Sequence, residues 1–495
     1  MYHLGLDIGS SSIKVALVDA STGKSIGVMT EPESEMSMQA IKNGWAEQNP
    51  EDWWTHVCEG IKKMCKKYAI VGSEINGIGI SYQMHGLVLL DKKGGVLRNS
   101  IIWCDSRAVA IGQKAYDEMG AEWCDAHLLN SPSNFTASKL KWVKENEPEV
   151  YAKIYKMMLP GDYIAYKLSG IMNTTVSGLS EGILWDFKSN AIATTLISHY
   201  GLDKDMVPDV VETFSVQSNV NEKGALESGL ESGTPILYRA GDQPNNALAL
   251  NVFNPGEVAA TGGTSGVVYA ITDNLSVKES SRVNNFAHVN YSPGKPSRIG
   301  KLLCINGAGI QYRWLLNTLN VSSYDEMNAL ANKVPIGSDG IAIIPFGNGA
   351  ERMLNNQEVG TRIVNLNLNN HKKGHLCRAA LEGIAFSFVY GMEIMESDGI
   401  QVNVMRAGND NLFRSEIFSD TVATLIGYDI EIYNTTGAIG AARAANLHKG
   451  DFKGFGKMVL DNDYVMTFSP KKDKTAYQEA YTTWKKELAL ILKNK

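Results

Sequence analysis

The stretch from residue 3 to residue 18 reads HLGLDIGSSSIKVALV. Two apolar runs flank a Gly/Ser cluster, which predicts a strand over 3–8, a turn over 9–12 and a second strand over 13–18. The same order recurs in EVAATGGTSGVVYAI, residues 257–271, where the turn is GGTSG. Because the two stretches are about half a chain apart, they predict an α/β fold with two similar domains that face each other across a cleft.

Bulk composition sets limits on the class of protein. At 495 residues and 54.1 kDa the chain exceeds one ordinary core, so two domains are expected. The net charge of −6 argues against a nucleic-acid partner. There is no apolar run of ~18 residues, so no membrane span is expected. The first residues enter a strand directly and no signal peptide is visible, so we expect a cytoplasmic protein. The six cysteines form no C-x-x-C pair and are expected to be free.

The domain boundary is expected just after a buried strand over 235–240. A helix begins near Gln243-Pro244, and the turn Asn254-Pro255-Gly256 then leads into the second strand–turn–strand stretch. We therefore divide the chain into residues 1–248 and 249–495.

The first turn carries candidate metal and phosphate groups. Asp7 lies among apolar neighbours, where an unpaired carboxylate is costly and Mg²⁺ is a suitable partner. Ser10, Ser11 and Ser12 offer N–H groups and hydroxyls to a polyphosphate, and Lys14 adds positive charge. A plain β-hairpin with turn-forming serines explains the same residues equally well.

The second turn holds Gly263 and Thr264, which suit close approach to an anion and a hydroxyl contact. Such turns are common, and only the pairing with the Asp7 turn makes this one informative. Asp242 follows a strand and precedes a helix. It either caps that helix, the more frequent case, or accepts the proton of a substrate hydroxyl, with Gln243 beside it as a polyol contact.

A third segment, Gln83-Met84-His85-Gly86, ends the apolar run over 78–82. Gly86 indicates a tight turn at a strand end, where Met84 and His85 can meet a small ligand, although a lone histidine is usually structural. Trp103, at the end of a strand predicted over 100–103, is a candidate wall for a sugar.

Together these segments resemble the FGGY carbohydrate kinases of the actin/Hsp70/hexokinase superfamily, over essentially the whole chain. Gln83-Met84-His85-Gly86 is similar to the sugar-binding segment of the members that phosphorylate xylulose. GWAEQNPEDWW (44–54), IIWCDSRA (101–108), GTSGVVYA (263–270) and GAIGAARAA (437–445) are also similar to family segments.

The resemblance implies two ribonuclease-H-like domains, with the sugar mainly on the first and ATP mainly on the second. It implies that Asp242 is the catalytic base and that Asp7 is associated with Mg²⁺. The substrate, D-xylulose, would contact Met84 and His85, with Gln243 near its hydroxyls, and Trp103 remains the candidate wall of the sugar site. The residues implied around the nucleotide are Ser10, Ser11, Ser12, Lys14, Gly263, Thr264, Gly307, Gln311, Gly408, Asn409 and Asn411. A homodimer is also compatible with the resemblance.

The chain departs from the family pattern at two places. Gly241-Asp242-Gln243 replaces the usual Gly-Asp-Asn, and Ala407-Gly408-Asn409 replaces a Gly-Gly-Gly turn. Three alternatives remain: a kinase for another polyol such as ribulose, gluconate or glycerol; an actin- or Hsp70-like ATPase; and a sugar sensor without catalysis. The two aspartates argue against the sensor, and the sugar segment argues against the ATPase.

Overall fold

The first half of the chain builds a mixed sheet that begins with the predicted hairpin. The computed structural model describes residues 1–493. The elements of the first half are β1 Tyr2–Ile8, β2 Ile13–Asp19, β3 Ser25–Glu31, β4 Glu47–Gln48, α1 Pro50–Tyr68, β5 Ile75–Tyr82, β6 Val88–Leu90, β7 Ser100–Ile101, α2 Val109–Met119, α3 Ala121–His127, α4 Thr136–Asn146, α5 Pro148–Tyr151, β8 Lys156–Met158, α6 Pro160–Ser169, β9 Asn173–Thr175, α7 Val176–Glu181, β10 Trp185–Asp186, β11 Ala191–Ile192, α8 Thr194–His199, β12 Asp209–Val211, β13 Phe214–Asn219, α9 Glu222–Ser228, β14 Pro235–Gly241 and α10 Asp242–Ala249.

The second half builds a second mixed sheet. Its elements are β15 Glu257–Gly262, β16 Gly266–Thr272, β17 Asn284–Ala287, β18 Ile299–Ile305, α11 Gly309–Thr318, α12 Tyr324–Ala331, β19 Ala342–Ile344, β20 Ala350–Glu351, β21 Gln357–Glu358, β22 Arg362–Val364, α13 Lys373–Ser397, β23 Val404–Gly408, α14 Glu416–Ile426, β24 Ile430–Tyr433, α15 Gly437–Ala444, α16 Phe452–Asp463, β25 Tyr464–Phe468 and α17 Thr475–Lys493. Short 3₁₀ turns lie at Gly72–Glu74, Lys204–Met206, Ser338–Gly340, Arg352–Leu354, Asn411–Arg414 and Ala445–Lys449.

Five strands of each sheet share one topology. The first has the order β13-β14-β5-β1-β2-β3, and the second has the order β17-β18-β16-β15-β23-β24-β25. Three neighbouring strands of each sheet are antiparallel: β1, β2 and β3 in the first, and β15, β16 and β18 in the second. On the other side of β1 lie the parallel strands β5 and β14, and on the other side of β15 lie the parallel strands β23 and β24. The predicted pair of ribonuclease-H-like α/β domains is therefore confirmed.

Helix α15 belongs to the second half by sequence but packs on the first sheet. A β-carbon at Gly5 of β1 would lie 1.9 Å from the carbonyl oxygen of Ala438, and one at Gly79 of β5 would lie 1.9 Å from that of Ala441. Glycine at both positions lets the helix backbone touch the sheet directly. This contact carries the start of α15 to the carboxyl end of β1, beside Asp7.

One predicted element is shorter than expected. The strand expected over 100–103 ends at Ile101, because pairing with β4 stops there. Trp103 therefore lies in a loop with its ring exposed. The six cysteines are free, as expected. In the part of the chain that the structure describes, no helix is both long enough and apolar enough to cross a membrane.

Candidate active site

Asp7 and Asp242 meet at one edge of the first sheet. Strands β1 and β14 both pair in parallel with β5, so their carboxyl ends lie on either side of Ser81. Ser81 is buried and donates its hydroxyl proton to Oδ1 of Asp7 at 2.9 Å. Asp242 is the first residue of α10. The fold thus brings together the residues predicted as metal-associated carboxylate and as base.

The electrostatics of this pair are unusual. Burial, and then the negative charge of Asp7, raise the pKa of Asp242 to about 7. A carboxylate with such a pKa can exist in both protonation states near neutral pH and can take up a proton. The nearest positive charge to Asp7 is Lys14 Nζ, which is 3.9 Å from Oδ2.

The donor set at Asp7 fits Mg²⁺ held partly through water and phosphate. Mg²⁺ is usually bound by one or two carboxylates together with waters and substrate phosphates, and a full protein cage is not needed. Residues 1–493 contain no group of three or more His, Cys, Asp or Glu side chains placed to hold a metal. The two neighbouring carboxylates of Asp7 and Asp242 are compatible with this looser arrangement.

The first Gly/Ser turn lies against the Trp103 loop. The N–H of Gly9 donates to the carbonyl of Ser12 at 3.1 Å and closes the turn. Trp103 Nε1 donates to Oγ of Ser10 at 3.3 Å, and Ser11 is exposed. The candidate sugar wall and the candidate phosphate turn, which are distant in sequence, are therefore neighbours.

His85 occupies a constrained position after β5. Its φ of 61° is in the left-handed region, and its Nδ1 is 2.9 Å from the carbonyl oxygen of Glu181. The ring packs edge-on against Phe135 at 4.8 Å and is tilted against Phe286 at 5.4 Å. Because the ring is desolvated, its pKa falls to about 3 and it is neutral at physiological pH.

Met84 lies against Gly241, the residue before Asp242. It is 4% exposed, and a β-carbon at Gly241 would stand 2.6 Å from its Cγ. Met84 thus supports the turn that presents Asp242. Gln243, the second residue of α10, is half-buried at the same edge of the sheet.

Glu181 is a candidate site residue that sequence reasoning missed. Its side chain is 2% exposed, and Oε2 accepts the His85 N–H at 3.3 Å. Burial raises the pKa of Glu181 well above its ordinary value, and the charge of Asp242 adds to the shift. The available signal was a single carboxylate in the otherwise apolar or small run GLSEGILW, residues 178–185.

A pocket of about 320 Å³ lies at the second Gly/Thr turn. The N–H groups of Gly309 and Ile310 donate to the carbonyls of Gly263 and Thr264, each at 3.0 Å, and dock the start of α11 on the turn. Among the residues predicted at the nucleotide, three line this pocket: Gly263, Thr264 and Asn411.

The remaining predicted nucleotide residues lie outside the lining. The N–H of Gly307 donates to Glu351, and Gln311 is 4% exposed. Gly408 ends β23, and the N–H of Asn409 donates to the Tyr433 carbonyl at 2.8 Å. Ser10, Ser11, Ser12 and Lys14 belong to the other sheet.

Sequence reasoning also missed most of the pocket wall. The rings of Tyr312 and Tyr324 stack with centroids 5.6 Å apart and an interplanar angle of 17°. Asn328 accepts hydrogen bonds from Tyr312 Oη at 3.3 Å and Ser415 Oγ at 3.1 Å. Tyr324 and Asn328 are four residues apart on α12 and share a face, which was the available signal.

Comparisons with known proteins find matches over nearly the whole chain. The model of the FGGY family of carbohydrate kinases, N-terminal domain, matches residues 2–249, and that of the C-terminal domain matches residues 258–448. Xylulose kinase of Bacillus subtilis is 27% identical over 461 residues, which are 91% of this chain and 89% of that protein. L-xylulose/3-keto-L-gulonate kinase of Escherichia coli is 28% identical over 508 residues, covering 99% and 97%. The crystal structure of xylulose kinase from Rhodospirillum rubrum superposes with a TM-score of 0.88 at 24% identity, covering 99% of both chains.

Proposed function

We propose, from the premise that this chain belongs to the FGGY family of carbohydrate kinases, that it transfers the γ-phosphoryl group of ATP to the 5-hydroxyl of D-xylulose. The family predicted from the sequence is confirmed, and with it the class of enzyme, a carbohydrate kinase. The substrate is our proposal, supported by relatives named xylulose kinase at about 27% identity. The observation that carries the reaction is Asp242, a carboxylate at a strand end whose pKa is raised to about 7.

In the proposed reaction Asp242 orients the 5-hydroxyl and accepts its proton. The hydroxyl oxygen forms a bond to the γ-phosphorus as the bond to the β-phosphate oxygen breaks, and ADP leaves. Phosphoryl transfer has a loose transition state, so catalysis rests mainly on alignment and charge stabilisation. Mg²⁺, held near Asp7, would neutralise phosphate charge when bound.

The remaining roles follow from position. We propose that Ser10, Ser11, Ser12 and Lys14 meet the phosphates from the first half, and that Gly263 and Thr264 meet them from the second. The stacked tyrosines and Asn411 offer a wall for the adenosine. Met84, His85, Trp103 and Gln243 remain our proposed sugar contacts. Gly307, Gln311, Gly408 and Asn409 are proposed only as neighbours of the nucleotide, because they do not line the pocket.

A second candidate substrate class is a sugar acid. The relative that acts on L-xylulose and 3-keto-L-gulonate covers 99% of this chain. Arg352 carries a positive charge that helps to lower the pKa of His85. Within residues 1–493 its guanidinium has no carboxylate at ion-pair distance; Nη2 donates to the Ser280 carbonyl oxygen at 3.2 Å, and Nε has no hydrogen-bond partner. Such a group suits a substrate carboxylate.

A substrate panel tests these candidates. ADP formation should be measured with D-xylulose, L-xylulose, D-ribulose, 3-keto-L-gulonate, D-gluconate and glycerol, and without sugar. The proposal expects the highest kcat/KM with D-xylulose, and NMR of the product should place the phosphate on O5. Preference for a sugar acid would favour the second candidate. Full ATP hydrolysis without any sugar would favour an ATPase.

Two further proposals concern organisation. We propose a division at residues 248 and 249, with the sugar mainly on the first part and the nucleotide mainly on the second, although α15 contacts the first sheet. We also propose a homodimer. Light scattering of the purified protein should give a mass near twice 54.1 kDa, and a mass of one chain would contradict this proposal.

A further inference from the structure

Lys139 is a buried lysine that the proposed reaction does not use. It lies on α4, Thr136–Asn146, and is 0% exposed. Its Nζ donates to the carbonyl oxygen of His85 at 2.8 Å and to that of Ile102 at 2.9 Å. In the described part of the chain no carboxylate lies at ion-pair distance from Nζ. A lysine buried in this way is directed at two backbone carbonyls: that of Ile102 also accepts the Asp105 N–H at 3.2 Å, whereas that of His85 has no other donor within residues 1–493.

The two carbonyls belong to the two loops that form the proposed sugar site. One is that of His85, and the other directly precedes Trp103. The loops are joined by one backbone bond, from the Leu87 N–H to the Ile101 carbonyl at 3.0 Å. Beyond this bond, Lys139 Nζ links the two loops a second time, through the carbonyl oxygens of His85 and Ile102.

His85 depends on such support. A left-handed backbone is unfavourable for a residue other than glycine and persists only where its surroundings hold it. Glu181 accepts from the His85 N–H, Lys139 donates to the His85 carbonyl, and the ring faces the Glu181 carbonyl through Nδ1. Because a carbonyl can only accept, we assign the ring proton to Nδ1, which leaves Nε2 as the acceptor for a ligand hydroxyl.

We propose that Lys139 is a positioning residue for the sugar: by bonding both carbonyls it fixes the spacing between the His85 ring and the Trp103 ring, so that both can contact one ketose. The inference rests on the proposed function. Burial lowers the pKa of Lys139 to about 7, and the amine keeps at least two N–H groups in either protonation state, so both bonds survive deprotonation.

The first test is Lys139→Met, which retains the length of the side chain and removes the donors. We expect the KM for D-xylulose to rise at least tenfold, whereas the KM for ATP and kcat stay within about threefold. Lys141→Met is the matched control, because Lys141 lies on the same helix and its amine is paired with Glu145 at 3.0 Å. It should leave all three parameters unchanged.

A second measurement uses a double-mutant cycle with Trp103→Ala. If Lys139 acts by placing Trp103, the rise in KM caused by Trp103→Ala should be smaller in the Lys139→Met background than in the wild type. If Lys139→Met does not fold, Lys139→Gln replaces it in the kinetics and in the cycle. Its amide keeps the site polar, but the side chain is one atom shorter than lysine and should not bond both carbonyls at once, so the same split between sugar and ATP is expected.

The outcomes separate this inference from the proposed function. An unchanged KM for the sugar in a folded Lys139 variant, or equal rises for sugar and ATP, would overturn the positioning role while the kinase function stands. If the wild type prefers another polyol, D-xylulose fails as substrate and the Lys139 variants are measured with that polyol. A wild type that phosphorylates no sugar removes both proposals.

Discussion

Gly437 lies so close to Asp7 that a β-carbon at position 437 would stand 3.2 Å from Oδ2 of the carboxylate. The same β-carbon would be 3.4 Å from Nδ2 of Asn245, which donates to the Gly437 carbonyl at 2.9 Å. Gly437 opens α15, the helix of the second half that packs on the first sheet. Because Gly437 has no side chain, the space beside the Asp7 carboxylate, the proposed metal-associated group, stays open although the two residues are distant in sequence.

The first prediction concerns this space. Gly437→Ala should lower kcat at least tenfold and raise the Mg²⁺ concentration needed for half-maximal rate, because the methyl group crowds Oδ2 of Asp7. The thermal midpoint should not fall, since alanine favours a helix more than glycine does. Gly95→Ala is the control: its β-carbon would stand 3.3 Å from Oδ2 of Asp91, in an exposed turn. Equal kinetics for Gly437→Ala and wild type would contradict the crowding argument.

Much of the fold could be predicted from local pattern. The hairpins of β1–β2 and β15–β16 follow from apolar runs around Gly/Ser turns, and their recurrence implied two related domains. The packing of α15 on β1 and β5 could not be predicted, because no local pattern says which sheet a helix covers. The strand before Trp103 was predicted to end at residue 103, two residues beyond its observed end at Ile101. An apolar run does not show where the pairing partner ends.

The sequence predicts candidate site residues at or directly after strand ends, at Asp7, Asp242 and His85, and the structure brings these strand ends to one edge of the first sheet. The pocket wall around Tyr312 and Tyr324 was missed because those residues are ordinary helix residues in sequence. Glu181 and Lys139 were missed for a related reason: their roles depend on which loops their helices meet.

The second prediction concerns pH. Asp242 must be ionised to accept a proton, and burial together with Asp7 raises its pKa to about 7. The kcat/KM for the sugar should therefore fall about tenfold per pH unit below this value. Mg²⁺ near Asp7 would offset that carboxylate's charge, so high Mg²⁺ should move the decline to lower pH. The profile should be measured from pH 5 to 9 at two Mg²⁺ concentrations. If kcat/KM does not change with pH down to pH 5, protonation of Asp242 does not limit the rate and this prediction is wrong.

The third prediction concerns stability. The pKa of Asp242 is about 7 in the folded protein and near the ordinary aspartate value of 3.8 in the unfolded chain, so the folded state binds the proton more tightly. The stabilising contribution of this group is complete below about pH 4 and is lost as the pH rises through 7. Asp242→Asn is always neutral, so at pH 8 without Mg²⁺ it should be more stable than wild type by about 1–4 kcal/mol.

Calorimetry at pH 8 and pH 5 in EDTA provides the measurement for Asp242→Asn, whose advantage should shrink at the lower pH. Asp91→Asn is a control of opposite sign. Backbone N–H groups of Gly95 and Lys93 hold the pKa of Asp91 below its usual value, so this variant should be less stable than wild type at pH 8. If Asp242→Asn were destabilised at pH 8, the raised pKa would be wrong.

The last prediction tests whether sugar and ATP bind to different halves of the cleft. His85→Ala should raise the KM for D-xylulose at least about tenfold, which corresponds to about 1.4 kcal/mol, because a site that bonds a hydroxyl is weakened when the partner is removed. The KM for ATP should change less than twofold, since the pocket beside Thr264 lies on the other sheet. Tyr324→Ala should do the reverse by removing one ring of the stacked pair. His85→Asn helps to separate a lost contact from backbone strain, because asparagine tolerates the left-handed region better than alanine does. If both His85 variants bind sugar as the wild type does, His85 is an ordinary core residue and the proposed sugar site lies elsewhere in the cleft.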